Sequence, residues 1–128
     1  MHRFAIVVLS LGGLGFLAFG LAFLVAPLAT FALTGVSISG AVAAAEIMAF
    51  YGGLEIALGG LLLACAWSPS RRRDGLLLMG AAYACIGLAR VAGMLVHGAD
   101  TPFLRIALGL ELGLAALALF ALPALRRG

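Results

Sequence analysis

Three ionisable residues, Glu55, Arg90 and Glu111, lie within long apolar stretches of the sequence. A charged side chain near the centre of a bilayer costs on the order of 2.5 to 3.5 kcal/mol, so such groups normally face the interior of a helical bundle and pair. Two carboxylates and one guanidinium leave one negative charge in excess. We therefore expect one glutamate to hold a proton or a cation, unless Arg105 supplies the balance. Such a titrating carboxyl group is common in proton relays and coupled transporters.

The spacing of these residues places them at one depth. At a helical rise of 1.5 Å per residue, all three lie roughly 9 to 14 Å below the same surface. Two tyrosines and a histidine lie on the same helix faces, one turn from Glu55 or at intervals of seven residues from Arg90. The sequence thus predicts a polar pocket for a ligand or a proton, lined by Tyr51, Glu55, Tyr83, Arg90, His97 and Glu111.

Catalysis by the same groups has less support. Two acids and a cation in a membrane pocket could protonate and deprotonate a lipid-like substrate. The sequence contains no HExxH, no Gly-rich phosphate loop, and no Ser or Cys with a His at a matching depth. His2 and His97 fall on opposite sides of the membrane, so a two-histidine metal site within one chain is not expected. We assign no catalytic residue, no metal site and no cofactor, and an enzyme is the less favoured interpretation.

The elements that position these residues are four apolar stretches, at about 4–26, 46–67, 75–96 and 103–122. Each is close to the ~20 residues that an α-helix needs to cross a bilayer. The chain is 65% hydrophobic and 10% charged, against roughly 25% charged in soluble domains. Prolines lie at the boundaries of the stretches and interrupt none of them. The prediction is an all-α integral membrane protein, a bundle of four transmembrane helices that forms one domain over residues 1–128.

The arginines predict the orientation of the chain. Six of them fall on one side if the chain crosses four times, and only Arg105 argues weakly for the other side. Because cytoplasmic loops are rich in Lys and Arg, both termini should be cytoplasmic. A cleaved signal peptide is the alternative for the first stretch, but its apolar run is longer than the usual h-region. Most of the arginines lie in loops or at termini rather than on one continuous face, so the bilayer and not nucleic acid is the expected partner. The six are Arg3, Arg71, Arg72, Arg73, Arg126 and Arg127.

Smaller signals concern the connections and the packing. Residues 28–45 should form a short interfacial helix and turn, and Asp74 and Thr101 are candidate N-caps. Cys65 and Cys85 differ in height by roughly 12 Å, too far for a disulfide. The chain contains 18 Gly, including the GxxxG spacing of residues 109–113. We expect these glycines to serve packing within the chain, while a homo-oligomer or another membrane protein stays open as a partner.

The run AFYGGLEIALG at residues 49–59, followed by Gly87-Leu88-Ala89-Arg90 and by Glu111 in a Leu-rich last helix, resembles a bacterial family catalogued as domain of unknown function 4345. The resemblance covers most of the chain. It implies a small four-helix membrane protein, in the inner (cytoplasmic) membrane of a bacterium, whose shared polar positions match Tyr51, Glu55, Arg90 and Glu111. It implies no activity.

The leading interpretation is a small membrane protein that binds or passes a small ligand or a proton through a pocket in the outer half of the membrane. The alternative is a non-catalytic scaffold or accessory subunit of a larger membrane complex, in which the charges only fix helix packing. A ligand site predicts a ligand-sized cavity that opens to the outer side at Arg90. The scaffold predicts that Arg90 is fully paired and sealed by apolar packing.

Overall fold

The structure, a computed structural model, describes residues 2–123. Four helices are long and apolar enough to cross a membrane, and no strand occurs among the described residues. The all-α, four-helix membrane class is therefore confirmed. Arg126 and Arg127 lie outside the described residues. In chain order the helices are α1 (His2–Val25), the short α2 (Pro27–Ala32), α3 (Ala41–Trp67), α4 (Pro69–His97) and α5 (Pro102–Ala121).

Helix α3 begins at Ala41, earlier than the stretch near residue 46 that hydropathy indicates, and it is not uniform. It starts as an α-helix over Ala41–Ile47, continues as a π-helical segment over Met48–Gly53, and ends as an α-helix over Leu54–Trp67. A π-helical segment winds one more residue into a turn than an α-helix does, and such segments are frequent at functional sites. Nothing in the apolar pattern of the sequence indicates this segment.

The two predicted N-caps have different outcomes. The Thr101 hydroxyl accepts a hydrogen bond from the Leu104 N–H at 3.3 Å, directly before Pro102. This cap is therefore confirmed. Asp74 is not an N-cap, because α4 begins with a 3-10 turn at Pro69 and is already α-helical from Arg72. Asp74 lies inside the first turn, where an acidic side chain still suits the helix dipole.

Helices α1 and α3 approach each other backbone to backbone. A Cβ atom added at Gly59 would lie 2.7 Å from the carbonyl oxygen of Gly13, and one added at Gly20 would lie 3.0 Å from the carbonyl oxygen of Gly52. Small residues permit this distance between membrane helices. Helix α4 packs along α5, and the two pairs of helices meet with α3 beside α4 and α1 beside α5. Glycine packing within the chain is thus confirmed for α1 and α3.

The expectation is wrong for the GxxxG pair of α5. Gly109 and Gly113 are both exposed, and a Cβ atom added at either would meet no atom within 4 Å. They lie on the face of α5 that points away from the bundle. The two cysteines are free, as their difference in height predicts.

The apolar core lies in the half of the bundle that contains the start of α1, the α3–α4 turn and the end of α5. Its most buried side chains come from all four spanning helices. Tyr83 belongs to this core, and the buried side chains outside it are Phe23, Ile47 and Glu111. The fully buried members of the core include Val8, Leu9, Leu62, Leu76, Met79 and Ala118.

Candidate functional site

Arg90 and Glu111 form a bidentate ion pair between α4 and α5. Arg90 Nε donates to Glu111 Oε2 at 2.8 Å, and Arg90 Nη2 donates to Glu111 Oε1 at 2.5 Å. The side chains are 25% and 11% exposed. Gly87, one turn before Arg90, leaves room for this approach, because a Cβ atom there would lie 2.7 Å from a Leu112 methyl group and 3.6 Å from Glu111 Cβ. A two-bond pair of this kind is among the stronger and more specific polar contacts in proteins.

Glu55, on α3, stands outside this pair. Its Oε2 atom is buried and has no hydrogen-bond partner among the described residues. Of the three residues expected to form one cluster, the structure joins Arg90 and Glu111 in an ion pair, and Glu55 takes no part in that pair. The reason is the order of the helices. Arg90 binds across the interface of α4 with α5, whereas α3 packs mainly against α1.

Arg105 does not balance the charge of Glu55 either. It forms an exposed ion pair with Asp100, in which Arg105 Nε donates to Asp100 Oδ1 at 2.6 Å and Nη2 donates to Oδ2. The Arg105 guanidinium holds the pKa of the Asp100 carboxyl, in the loop between α4 and α5, below its usual range. Arg90 and Arg105 thus each have a carboxylate partner, and neither partner is Glu55.

Tyr83 faces α1 rather than the ion pair. Its hydroxyl donates to the carbonyl oxygen of Gly12 at 3.0 Å, and its ring stacks on Phe16 with centroids 4.6 Å apart. Tyr83 therefore fixes α4 against α1.

Replacing Tyr83 with phenylalanine is expected to lower the free energy of unfolding by about 1 kcal/mol, because one buried hydrogen bond is lost while the ring stacking stays. Unfolding of the purified protein by a denaturing detergent measures this change. Tyr51→Phe is the matched control, since the Tyr51 hydroxyl makes no hydrogen bond with the described residues. Equal stability of Tyr83→Phe and wild type would contradict a structural role for the Gly12 bond.

Tyr51 lies on the π-helical segment, within an aromatic cluster that we define as Phe23, Phe31 and Tyr51. The Tyr51 ring is 5.1 Å from Phe23 and 5.5 Å from Phe31, centroid to centroid, and the second contact is edge-on. Tyr51 is 44% exposed. The sequence indicated neither phenylalanine, because they come from α1 and α2 and meet Tyr51 only through the fold.

His97 does not join the other candidates. It is the last residue of α4, it is exposed, and its side chain makes no hydrogen bond with residues 2–123. Gly98 ends the helix directly after it in the left-handed conformation, with a φ of 62°. The seven-residue interval of Tyr83, Arg90 and His97 thus leads to three environments: the α1 interface, the α5 interface and the exposed helix end.

A groove of about 200 Å³ lies between α1 and α2, lined by Ala18, Phe19, Ala22, Thr30 and Leu33. Its lining is almost entirely apolar, and the Thr30 hydroxyl is already bonded to the carbonyl oxygen of Ala22 at 3.0 Å. None of the six candidate residues lines this groove. It does not correspond to the cavity at Arg90 that a ligand site predicts.

Comparison with known proteins identifies a family. No curated protein and no solved structure matches the chain significantly. A family model described as a domain of unknown function, DUF4345, matches residues 4–122. This range contains all six candidate residues, and it confirms the resemblance carried by the run around Glu55 and by Arg90 and Glu111. The chain belongs to the DUF4345 family.

Proposed function

We propose that the protein binds and releases a proton at Glu55, inside a four-helix bundle of a bacterial inner membrane. The observation that carries the proposal is the buried Oε2 atom of Glu55, which has no partner among the described residues. Burying an ionised carboxylate without a partner is costly, whereas the neutral acid is tolerated far better. Small changes around Glu55, such as entry of water, therefore decide whether it carries a proton.

The Arg90–Glu111 pair supports this role because the charges of its two side chains cancel each other. A free guanidinium next to Glu55 would hold that carboxyl permanently ionised, as opposite charges within a few ångströms do. Because Nε and Nη2 of Arg90 are both bonded to Glu111, Glu55 forms no ion pair with Arg90. An anionic ligand at Arg90 would first have to displace Glu111. A proton needs no such displacement and no preformed cavity.

The orientation in this proposal has both termini in the cytoplasm. Arg3 and the arginines of residues 71–73 lie at one end of the bundle, and the described residues of the other end hold Arg105, which is paired with Asp100. The excess of positive charge at the first end favours the cytoplasmic side. Glu55, Arg90 and Glu111 would then lie in the outer half of the membrane.

Infrared spectroscopy tests the proposal directly. In the purified protein at neutral pH, we expect an absorption band of a protonated carboxyl group that decreases as the pH is raised. The band should be absent in Glu55→Gln. It should persist in Glu46→Gln, the matched control, which removes an exposed carboxyl from the same helix. An unchanged band in Glu55→Gln would refute the assignment.

The second candidate function is a scaffold or accessory subunit of a larger membrane complex. The observation in its favour is the two-bond Arg90–Glu111 pair, which fixes α4 against α5. A proteoliposome experiment separates the two functions. If Glu55 handles protons, an imposed pH gradient decays faster with wild type than with Glu55→Gln. If both decay alike and the infrared band is also unchanged in Glu55→Gln, the scaffold is the better assignment.

A further inference from the structure

The start of α4 carries positive charge that no ion pair among the described residues neutralises. Arg71 and Arg73 are exposed and form no ion pair with any residue that the structure describes. Helices α1 and α4 run in the same direction, so Arg3, near the start of α1, lies at the same end of the bundle. Arg3 is also exposed. Asp74 is the nearest acidic residue in sequence, and it leaves the turn with a net positive charge.

Arg72 plays a different part, because it holds the turn in shape. Its Nε atom donates to the carbonyl oxygen of Ala66 at 3.0 Å, which satisfies one of the free carbonyl groups at the end of α3. Trp67, the last residue of α3, is 75% exposed. An exposed indole at the end of a membrane helix is typical of the headgroup layer. We call the turn from Trp67 to Arg73 the basic turn. Arg72 bonds it to the end of α3, and the exposed Trp67 suits it to the headgroup layer.

The helix dipole at this turn also favours an anion. The α-helical part of α4 begins after Arg71 without a side-chain cap, and the Arg71 N–H is bonded to the carbonyl oxygen of Ser68 at 3.0 Å. The dipole makes this end of the helix positive. Positively charged arginines at a positive helix end are unfavourable by themselves. An oxyanion next to the turn would offset the dipole and pair with the guanidinium groups.

We propose that the basic turn binds the headgroups of anionic phospholipids. Residues two positions apart in a helix lie on different faces, so Arg71 and Arg73 contact separate headgroups on the two flanks of α4. Trp67 packs against the glycerol and upper acyl region beside them. This interaction surface is independent of the proton site, which lies in the other half of the bundle.

The test compares lipids added to the full-length protein in a neutral detergent. Phosphatidylglycerol should raise the melting temperature, and phosphatidylcholine should raise it far less. Each arginine near a charged lipid surface contributes about 1 kcal/mol, which is roughly fivefold in affinity. We therefore expect binding of phosphatidylglycerol to weaken by roughly 25-fold in the double variant Arg71→Gln/Arg73→Gln, and by about fivefold in either single variant.

Two matched variants complete the design. Arg71→Lys/Arg73→Lys keeps the charges and should keep most of the lipid preference. Arg105→Gln removes an exposed arginine from the opposite end and should leave the preference unchanged. Equal shifts with both lipids, a preference that survives the double glutamine variant, or the same shift with inorganic phosphate alone would each overturn the proposal.

Discussion

Replacing Arg90 with methionine is expected to destabilise the protein by about 3 kcal/mol, one of the two largest single effects that the structure indicates. Methionine fills much of the space of arginine but leaves Glu111, which is only 11% exposed, without its partner. Breaking a buried ion pair on one side typically costs about 3 to 5 kcal/mol. The lower figure applies here, because Glu111 can take up a proton and Arg90 is itself partly exposed.

The double variant Arg90→Met/Glu111→Leu is the control for this prediction. Removing both charges leaves no unpaired group, and such replacements are often neutral in stability. The double variant should therefore recover most of the loss of the single variant. Unfolding of all four proteins of the cycle gives the coupling energy between the two side chains. Additive losses, with no recovery in the double variant, would contradict the ion pair.

The second large effect is expected for Gly59→Ala. The new Cβ atom would lie 2.7 Å from the carbonyl oxygen of Gly13 and 2.8 Å from Leu17 Cγ. A backbone oxygen cannot move aside as a flexible side chain can, so α1 and α3 must separate. Overpacking of this kind typically costs about 1 to 3 kcal/mol. Thermal unfolding in detergent, with circular dichroism at a helical wavelength, measures the change.

The neighbouring residue provides the control. A Cβ atom at Gly60 would meet no atom within 4 Å, and alanine is favoured over glycine within a helix by up to about 1 kcal/mol. Gly60→Ala should therefore be as stable as wild type or slightly more stable. If Gly59→Ala and Gly60→Ala behave alike, the close approach of α1 and α3 is not what stabilises this half of the bundle.

The architecture was predictable because the hydrocarbon core of a bilayer imposes simple requirements on any sequence that crosses it. A membrane-spanning helix must be long and apolar, so hydropathy alone located the four spanning helices of the structure. Thr101 followed by Pro102 indicated the start of α5 through the chemistry of its cap. The pairing of Arg90 with a glutamate followed from the cost of an unpaired charge in a bilayer.

The absence of Glu55 from the ion pair was not predictable by the same reasoning. Counting residues gives the depth of a side chain but not the direction in which it points around the helix axis. That direction depends on which helices are neighbours, and here α3 packs against α1 through glycines. The π-helical segment before Leu54 adds to the difficulty, because it changes the helical register of Tyr51 relative to Glu55. Gly109 and Gly113 illustrate the same limit, since their spacing gives no information about which face of α5 is outermost.

The Arg90–Glu111 pair has a consequence for how the chain enters the membrane during synthesis. These two costly charges are carried by consecutive helices, α4 and α5, which are joined by a loop of only a few residues. The two helices can therefore leave the translocation machinery as a hairpin in which the charges are already neutralised. Helices α1 and α3, emerging earlier and held by contacts between glycine backbones, need no such coupling. Biogenesis would then proceed in two steps, first a glycine-packed pair of helices that carries Glu55 and then a self-neutralised pair.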